Sequence, residues 1–231
     1  MSAKRHIEPT RRTESEKRRA RRLWAALSEL HPDAHCELEY AAPHELLFAV
    51  ILSAQTTDVA VNKATPALFE AFPQVADYAA AGPEGIEPYI RSIGLFRNKA
   101  KSLAMCAQQL IDHHGGEVPD DFAALLDLRG VARKTANCVL GEIFGRTEGV
   151  VVDTHVMRLS QRLGLTSATR PDAIEADLMG LFPPSRRPML AHLLIFHGRR
   201  FCPARGPHID NPVCSRFAVS PCRPIPAGNA Q

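Results

Sequence analysis

The residues with the strongest chemical signature are Leu128-Arg129-Gly130-Val131-Ala132-Arg133-Lys134-Thr135-Ala136, followed 19 residues after Lys134 by Asp153 within Val151-Val152-Asp153-Thr154-His155-Val156. Gly130 suits a tight hairpin between two helices, since glycine enters positive φ without steric cost. The first N–H groups of the helix that follows are open to a phosphate, and the helix dipole favours an anion there. Lys134 falls in the first turn of that helix, a poor place for an ammonium. With partial burial, this frees the amine as a nucleophile. Asp153 reads as the N-cap of another helix and equally as a fixed carboxylate able to orient or move protons for an amine. Amine, acid and phosphate-binding turn together point to chemistry on DNA. Taken singly, each has an ordinary explanation as a helix connection, a surface charge or a cap.

The elements that must position these residues are helical. Glu45 to Leu52 is almost continuously apolar and reads as a core helix, ending at Ser53-Ala54-Gln55-Thr56-Thr57-Asp58. A helix from Asp58 to about Lys63 follows, with Pro66 in the first turn of the next. Gly82, Pro83, Gly85 and Pro88 mark a loop, and Ile93 to Asn98 a turn before a helix over about Lys99 to His113. Gly115-Gly116 ends it, and Asp120 or Asp121 caps a short helix over Phe122 to Asp127. Beyond the hairpin, Ala136, Val139, Leu140 and Ile143 recur at helical spacing up to Gly145. Later helices fall over about Thr154 to Leu163, Pro171 to Leu181 and Pro188 to His197. After Phe201, six prolines forbid long helices. Val150-Val151-Val152 is the only compact β-branched run and is too short to build a sheet.

At 231 residues and 45% hydrophobic the chain is an ordinary globular size and composition, enough for one large domain or two small ones. No apolar run is long enough to span a bilayer and no signal peptide is expected, so the expectation is a cytoplasmic protein with no membrane partner. Residues 1–22 carry nine Lys or Arg against three Asp or Glu, whereas the whole chain is only +3. The excess positive charge is therefore local, as a phosphate-contacting arm or a solvated tail requires. From Thr13 the charges interleave with Leu23, Trp24 and Leu27 and predict a helix; residues 1–12 are expected to be a disordered tail. Of six cysteines, Cys36, Cys106 and Cys138 are scattered in helical contexts and read as small buried hydrophobes. Cys202, Cys214 and Cys222 fall in the last 30 residues, a grouping that points to metal rather than disulfides in a cytosolic protein.

These segments resemble the endonuclease III branch of the helix-hairpin-helix DNA glycosylases. The matching text is Leu52-Ser53-Ala54-Gln55-Thr56-Thr57-Asp58, Ile93-Gly94-Leu95-Phe96-Arg97-Asn98-Lys99-Ala100, Gly116-Glu117-Val118-Pro119, the Lys134 hairpin, Val152-Asp153-Thr154-His155-Val156 and His197-Gly198-Arg199-Arg200-Phe201-Cys202, in the family's order over roughly residues 20–222. The resemblance implies that Lys134 attacks C1′ of a damaged nucleotide, displaces the base and leaves a Schiff base, after which β-elimination nicks the strand. Asp153 is the implied acidic partner. Gln55 matches the residue that fills the gap left by the extruded base, and Leu95 the residue that wedges into the duplex. Ser53, Asp58 and His155 match positions near the base pocket. Without the resemblance, Leu95 reads as core, Gln55 and Asp58 as caps and His155 as a first-turn histidine.

Two departures stand out. Arg129 and Ala132 replace the Pro and second Gly usual in the family's hairpin; Arg129, Gly130, Ala132 and Arg133 remain the expected DNA contacts there, provided Ala132 keeps a negative φ. The family's Cys-x6-Cys-x2-Cys-x5-Cys loop holds a 4Fe-4S cluster, but here Ile209 stands at the second position and Cys214 and Cys222 follow at wider spacing. Cys202, Cys214 and Cys222 are the candidate metal ligands, with His208 or Asp210 as the nearest substitute for the fourth; a 4Fe-4S cluster is the expected occupant, and a zinc ion, a degraded site or a metal-free loop are the alternatives. The implied fold is all-α and two-lobed. A six-helix barrel covers 36–147, with the helix-hairpin-helix at about 122–145. A second helical domain comprises 13–35 with 148–231 and a cysteine loop over 202–222. The expected function is a bifunctional DNA glycosylase and abasic-site lyase of base excision repair, acting as a monomer on duplex DNA containing oxidised pyrimidines or abasic sites. The competing expectation is a helix-hairpin-helix DNA-binding protein with lost or altered catalysis.

Overall fold

The computed structural model describes residues 7–205 and 209–219; the first six residues of the basic tail, His208 and Cys222 lie outside them. The helices are α1 (Glu14–Leu30), α2 (Pro43–Leu52), α3 (Asp58–Ala71), α4 (Val75–Ile90), α5 (Phe96–His114), α6 (Phe122–Asp127), α7 (Arg133–Phe144), α8 (Thr154–Arg162), α9 (Pro171–Leu181), α10 (Arg187–Arg200) and α11 (Pro212–Phe217), with no strand among the described residues. They divide into two compact units. One is Cys36–Gly145; the other combines the described residues up to His35 with those from Arg146 onward.

In Cys36–Gly145 the hub is α2. All seven residues from Leu46 to Leu52 are buried, as an apolar run without a polar face requires. It packs against α3, α5 and α7. At its start, the Glu45 carboxylate accepts the Ala41 and Ala42 N–H groups at 2.6 and 3.1 Å, pairing two donors that the helix cannot. Two expectations about this unit are corrected. Pro66 does not begin a new helix: α3 runs through it, because Val61, Ala64 and Leu68 bury one continuous face, which outweighs a proline cost of about 3 kcal/mol. The expected loop over Gly82 to Pro88 is a kink inside α4. Gly82 alone leaves helical geometry (φ 64°, ψ 179°), Pro83 follows where a missing N–H is tolerated, and Ile86 and Ile90 are fully buried beyond it.

The second unit is built on α1, which opens with a capping box. The Thr13 Oγ1 accepts the Glu16 N–H at 3.2 Å and the Glu16 carboxylate accepts the Thr13 N–H at 2.8 Å. Its buried face, Ala20, Leu23 and Leu27, lies in one core with Val156, Leu159, Ile174, Leu178, Leu190 and Leu194. The disordered tail expected for residues 1–12 is contradicted at its inner end. The Thr10 N–H donates to the Ala176 carbonyl at 2.9 Å and Arg12 pairs with Asp177, both side chains mostly buried. Gly180 permits this approach, since a Cβ there would overlap the Thr10 carbonyl oxygen. Among the described residues, no helix is long and apolar enough to cross a membrane.

Tyr78 sits fully buried against Phe48, ring centroids 4.5 Å apart, and its hydroxyl has no hydrogen-bond partner. Burial holds its ionisation above the usual range. Above pH about 10 an unfolded tyrosine loses its proton while Tyr78 keeps it, so folding loses stability as pH rises through that window. Tyr78→Phe is expected to leave stability at pH 7 unchanged or raise it by up to about 1 kcal/mol, and to reduce the alkaline loss, in denaturant titrations at the two pH values.

Candidate functional site

The hairpin is a turn pressed onto the hub. Leu128 and Val131 point inward, leaving Arg129, Gly130 and Ala132 exposed. Gly130 has φ +86°, and a Cβ there would stand 3.1 Å from the Ser102 Cβ of α5 and 3.2 Å from the Ile51 Cγ2 of α2. Both the sign of φ and the space therefore demand glycine. The Gln109 side chain of α5 braces the turn, accepting the Arg129 N–H at 2.7 Å and donating to the Asp127 carbonyl at 3.1 Å. Ala132 is the N-cap of α7 with φ −100°, so the negative φ it needs is met. Arg133 lies over the Phe122 ring at 5.1 Å. Lys134 projects from the first turn of α7 and is exposed; the partial burial expected for it is absent, because its side chain lies on the outer face opposite Ala136, Val139 and Leu140.

Two further exposed residues carry backbone strain. Gln55 (φ +56°) and Leu95 (φ +59°) are the only non-glycine residues with positive φ among the described residues. Such conformations cost about 1–3 kcal/mol and persist where their surroundings hold them. Leu95 is 60% exposed, so its core reading fails: the neighbouring Ile93 takes the buried position and Leu95 becomes the N-cap of α5. Gln55 is no cap either; it is the apex of the turn between α2 and α3. Ser53 ends α2, its hydroxyl donating to the Val50 carbonyl at 2.9 Å, and Asp58 is the first residue of α3, after the N-cap Thr57.

The residue that secures this turn was not singled out from the sequence. Lys99, buried on α5, donates to the Leu52 carbonyl at 2.8 Å and to the Thr56 hydroxyl at 2.7 Å. It satisfies an orphan carbonyl at the end of α2 and pins the Gln55 turn to the helix that Leu95 opens. Burial lowers its pKa. A lysine on the helix that follows Leu95 was the available signal, but one such charge in a sequence reads as solvated.

In the other unit, Asp153 is the N-cap of α8, its Oδ1 accepting the Val156 N–H at 2.7 Å. His155 lies in the first turn of α8, where its buried Nδ1 has no partner and would stand 3.0 Å from a Cβ at Gly198. Of the C-terminal donors, Cys202 and Cys214 are buried and come together, but the histidine beside them is His197 of α10, which the sequence reading did not propose. The ligand atoms of these three lie within 4.8 Å of one another. Asp210 is exposed and outside the group. The remaining cysteines behave as small apolar residues: burial pushes the Cys106 thiol up to about 12, and a hydrogen bond that the Cys138 thiol donates to Cys36, together with burial, holds Cys138 well above its usual range.

Residues 48–184 match the family model of the HhH-GPD superfamily base excision DNA repair proteins. Endonuclease III of Synechocystis sp. is 49% identical over 197 residues, 85% of this chain and 90% of that protein. Endonuclease III of Escherichia coli K12 is 42% identical over 181 residues, 78% and 85% of the two chains. Among solved structures, a trapped endonuclease III–DNA covalent intermediate matches with a TM-score of 0.77 and 44% identity, over 83% of this chain and 90% of that one.

Lys99→Met keeps the buried stem and removes both hydrogen bonds. It is expected to cost about 1–3 kcal/mol in chemical unfolding and to speed hydrogen exchange at Thr56, whose N–H is bonded to the Ser53 carbonyl, without changing exchange in α9.

Proposed function

Because the chain belongs to the HhH-GPD superfamily of base excision DNA repair proteins, and its relatives there are endonuclease III enzymes, we propose that it excises oxidised pyrimidines from duplex DNA and nicks the resulting abasic site. It is a DNA glycosylase and abasic-site lyase. The observation that carries the mechanism is Lys134, an exposed amine on the first turn of α7 directly after the hairpin.

The unprotonated Nζ attacks C1′ of the damaged nucleotide. The C1′–N bond breaks, its electron pair leaves with the base, and the base takes up a proton. The secondary amine at C1′ then opens the sugar to a protonated imine. Loss of a C2′ proton sends electrons into that imine and expels the 3′ phosphate, which is the β-elimination. Asp153, held rigidly by its bond to the Val156 N–H, is the carboxylate that takes and returns protons in this sequence. Gly130, Ala132 and Arg133, with Arg129 adding charge, receive a backbone phosphate at the positive end of α7. Extruding a base costs a few kcal/mol, least where pairing is already weakened. Gln55 and Leu95, exposed on strained turns, fill and wedge the gap. Ser53 and Asp58 of one unit, and His155 of the other, are the residues proposed to contact the extruded base.

The 4Fe-4S cluster implied by the family takes no part in this reading. A cubane uses one thiolate per iron corner, which sets its sulfurs farther apart than the ligands of a single ion. Here the last 30 residues hold three cysteines, Cys202, Cys214 and Cys222, and a buried imidazole nitrogen lies 3.2 Å from the Cys214 Sγ. That donor set does not fit a four-thiolate cluster.

Incubating the protein with an abasic-site duplex and borohydride is expected to trap one covalent adduct. Lys134→Ala should abolish the adduct, while Asp153→Asn should slow turnover about 10²–10⁴-fold and leave duplex binding intact. A wild-type protein that binds the duplex but yields no adduct, or an undiminished adduct with Lys134→Ala, would favour a DNA-binding protein without this chemistry.

A further inference from the structure

The basic stretch that opens the chain has no part in the reaction above, yet α1 gathers much of it on one face. Ser15, Arg18, Arg19 and Arg22 recur at i, i+3, i+4 and i+7, the spacing of neighbours along a helix. Ala20, Leu23 and Leu27 take a different face into the core. Arg216 of α11 joins the arginines, and with Phe217 these residues line a surface cavity of about 400 Å³. Two of the four guanidiniums are held in place. Arg19 donates to the Gly164 carbonyl at 3.2 Å and to the Phe217 carbonyl at 2.6 Å. Arg19 and Arg216 both lie over the Phe217 ring, 5.8 and 5.3 Å from its centroid.

The positive charge of this cavity is not balanced. The carboxylates in the first turn of α1 are committed elsewhere: Glu14 to Lys17 at 3.2 Å, and Glu16 to Arg12 at 3.0 Å and to the Thr13 N–H. Arg18, Arg22 and Arg216 have no hydrogen bond or ion pair with another described residue, and Arg19 has carbonyls alone. Burial of Arg19 without a carboxylate lowers its pKa. Like charges one turn apart repel, and an anion between them removes that repulsion.

The lining also selects which anion. A guanidinium is a planar fork of donors that fits two phosphate oxygens at once. Phe217 is only 4% exposed, so the lining offers no apolar side chain to a lipid or a peptide. Arg18 and Arg22 stand about 6 Å apart along α1. Each strand of a duplex carries a charge every ~3.4 Å of its axis, so a strand along this face brings successive phosphates to both.

We propose that Arg18, Arg19, Arg22 and Arg216 form a phosphate-binding cleft for the backbone of duplex DNA, carried by the unit that lacks the helix-hairpin-helix. It rests on the reading of duplex DNA as the substrate. Phosphate contacts add affinity and orientation without reading the sequence or the lesion.

The test is the duplex affinity of the full chain between about 50 and 200 mM salt. Each phosphate contact contributes about 0.9 to the slope of log affinity against log salt. Arg18→Gln/Arg22→Gln changes two exposed positions and should make the slope shallower by about 1.8, so it loses about tenfold less affinity than wild type over that range. The change should be equal on undamaged and abasic-site duplexes. Lys17→Gln/Arg21→Gln removes two α1 cations outside the cavity and should leave the slope near that of wild type. Poly-glutamate at equal charge concentration should not displace the duplex. An unchanged slope in Arg18→Gln/Arg22→Gln would overturn the proposal. So would an equal change in Lys17→Gln/Arg21→Gln, which would reduce the cleft to general charge, or poly-glutamate displacing duplex from wild type, which would assign it to an acidic protein. The wild-type borohydride adduct reads the catalytic assignment separately. An adduct with an unchanged slope sinks this inference alone, a responsive slope without an adduct sinks the catalytic reading alone, and a wild type that binds no duplex sinks both.

Discussion

The removal of α2 from water on every face is the constraint on which the rest of Cys36–Gly145 depends. Seven consecutive buried residues leave this helix no solvent side, so other elements must surround it, and α3, α5 and α7 do. Burial of its end also creates a debt in hydrogen bonds. The last carbonyls have no partner within the helix, and the Lys99 amine from α5 reaches in to supply one at Leu52. The same amine holds the Thr56 hydroxyl, so the turn that leaves α2 inherits the rigidity of the core. The hairpin rests on this hub too, with Gly130 set against Ile51 and Ser102. Three surface features that present Gln55, Leu95 and Lys134 are thus anchored by two helices, α2 and α5.

That anchoring explains how strain survives at the surface. Gln55 and Leu95 adopt left-handed geometry at exposed positions, where nothing in their own side chains favours it. Their neighbours do: Leu52 and Ile93 are buried, and the turns between buried neighbours and the next helix are too short for relaxed alternatives. A flexible loop would lose such residues to many conformations, each of which would have to be reordered on a duplex. On the roles proposed for Leu95 and Gln55, holding both in place before a duplex arrives shifts that ordering cost from binding to folding.

The C-terminal segment solves a different problem. With prolines at 203, 207, 212, 221, 224 and 226 it forms only the six-residue α11 among its described residues. Val213, Cys214 and Phe217 are buried, but so short a helix contributes little apolar area. The Arg19 guanidinium adds a hydrogen bond to the Phe217 carbonyl at 2.6 Å. The His197 Nε2 lies 3.2 Å from the Cys214 Sγ, a directional contact between residues that periodicity ignores.

The sequence by itself determined the helical class, most helix positions and the hairpin with its lysine. These rest on local rules: apolar spacing, caps such as Asp121 and Asp153, and glycine at Gly115, Gly130 and Gly145 where φ turns positive. Local rules failed where packing overrode them. Pro66 stays inside α3, and Gly82 with Pro83 bends α4 rather than ending it, because buried faces on either side continue. Tertiary structure alone decided which polar residues meet. Lys99 and Thr56 are 43 residues apart, and His31 and His197 are 166 apart. Neither pair leaves a mark in any window of sequence, because a hydrogen bond between distant residues depends on the path of the whole chain and not on the residues beside it.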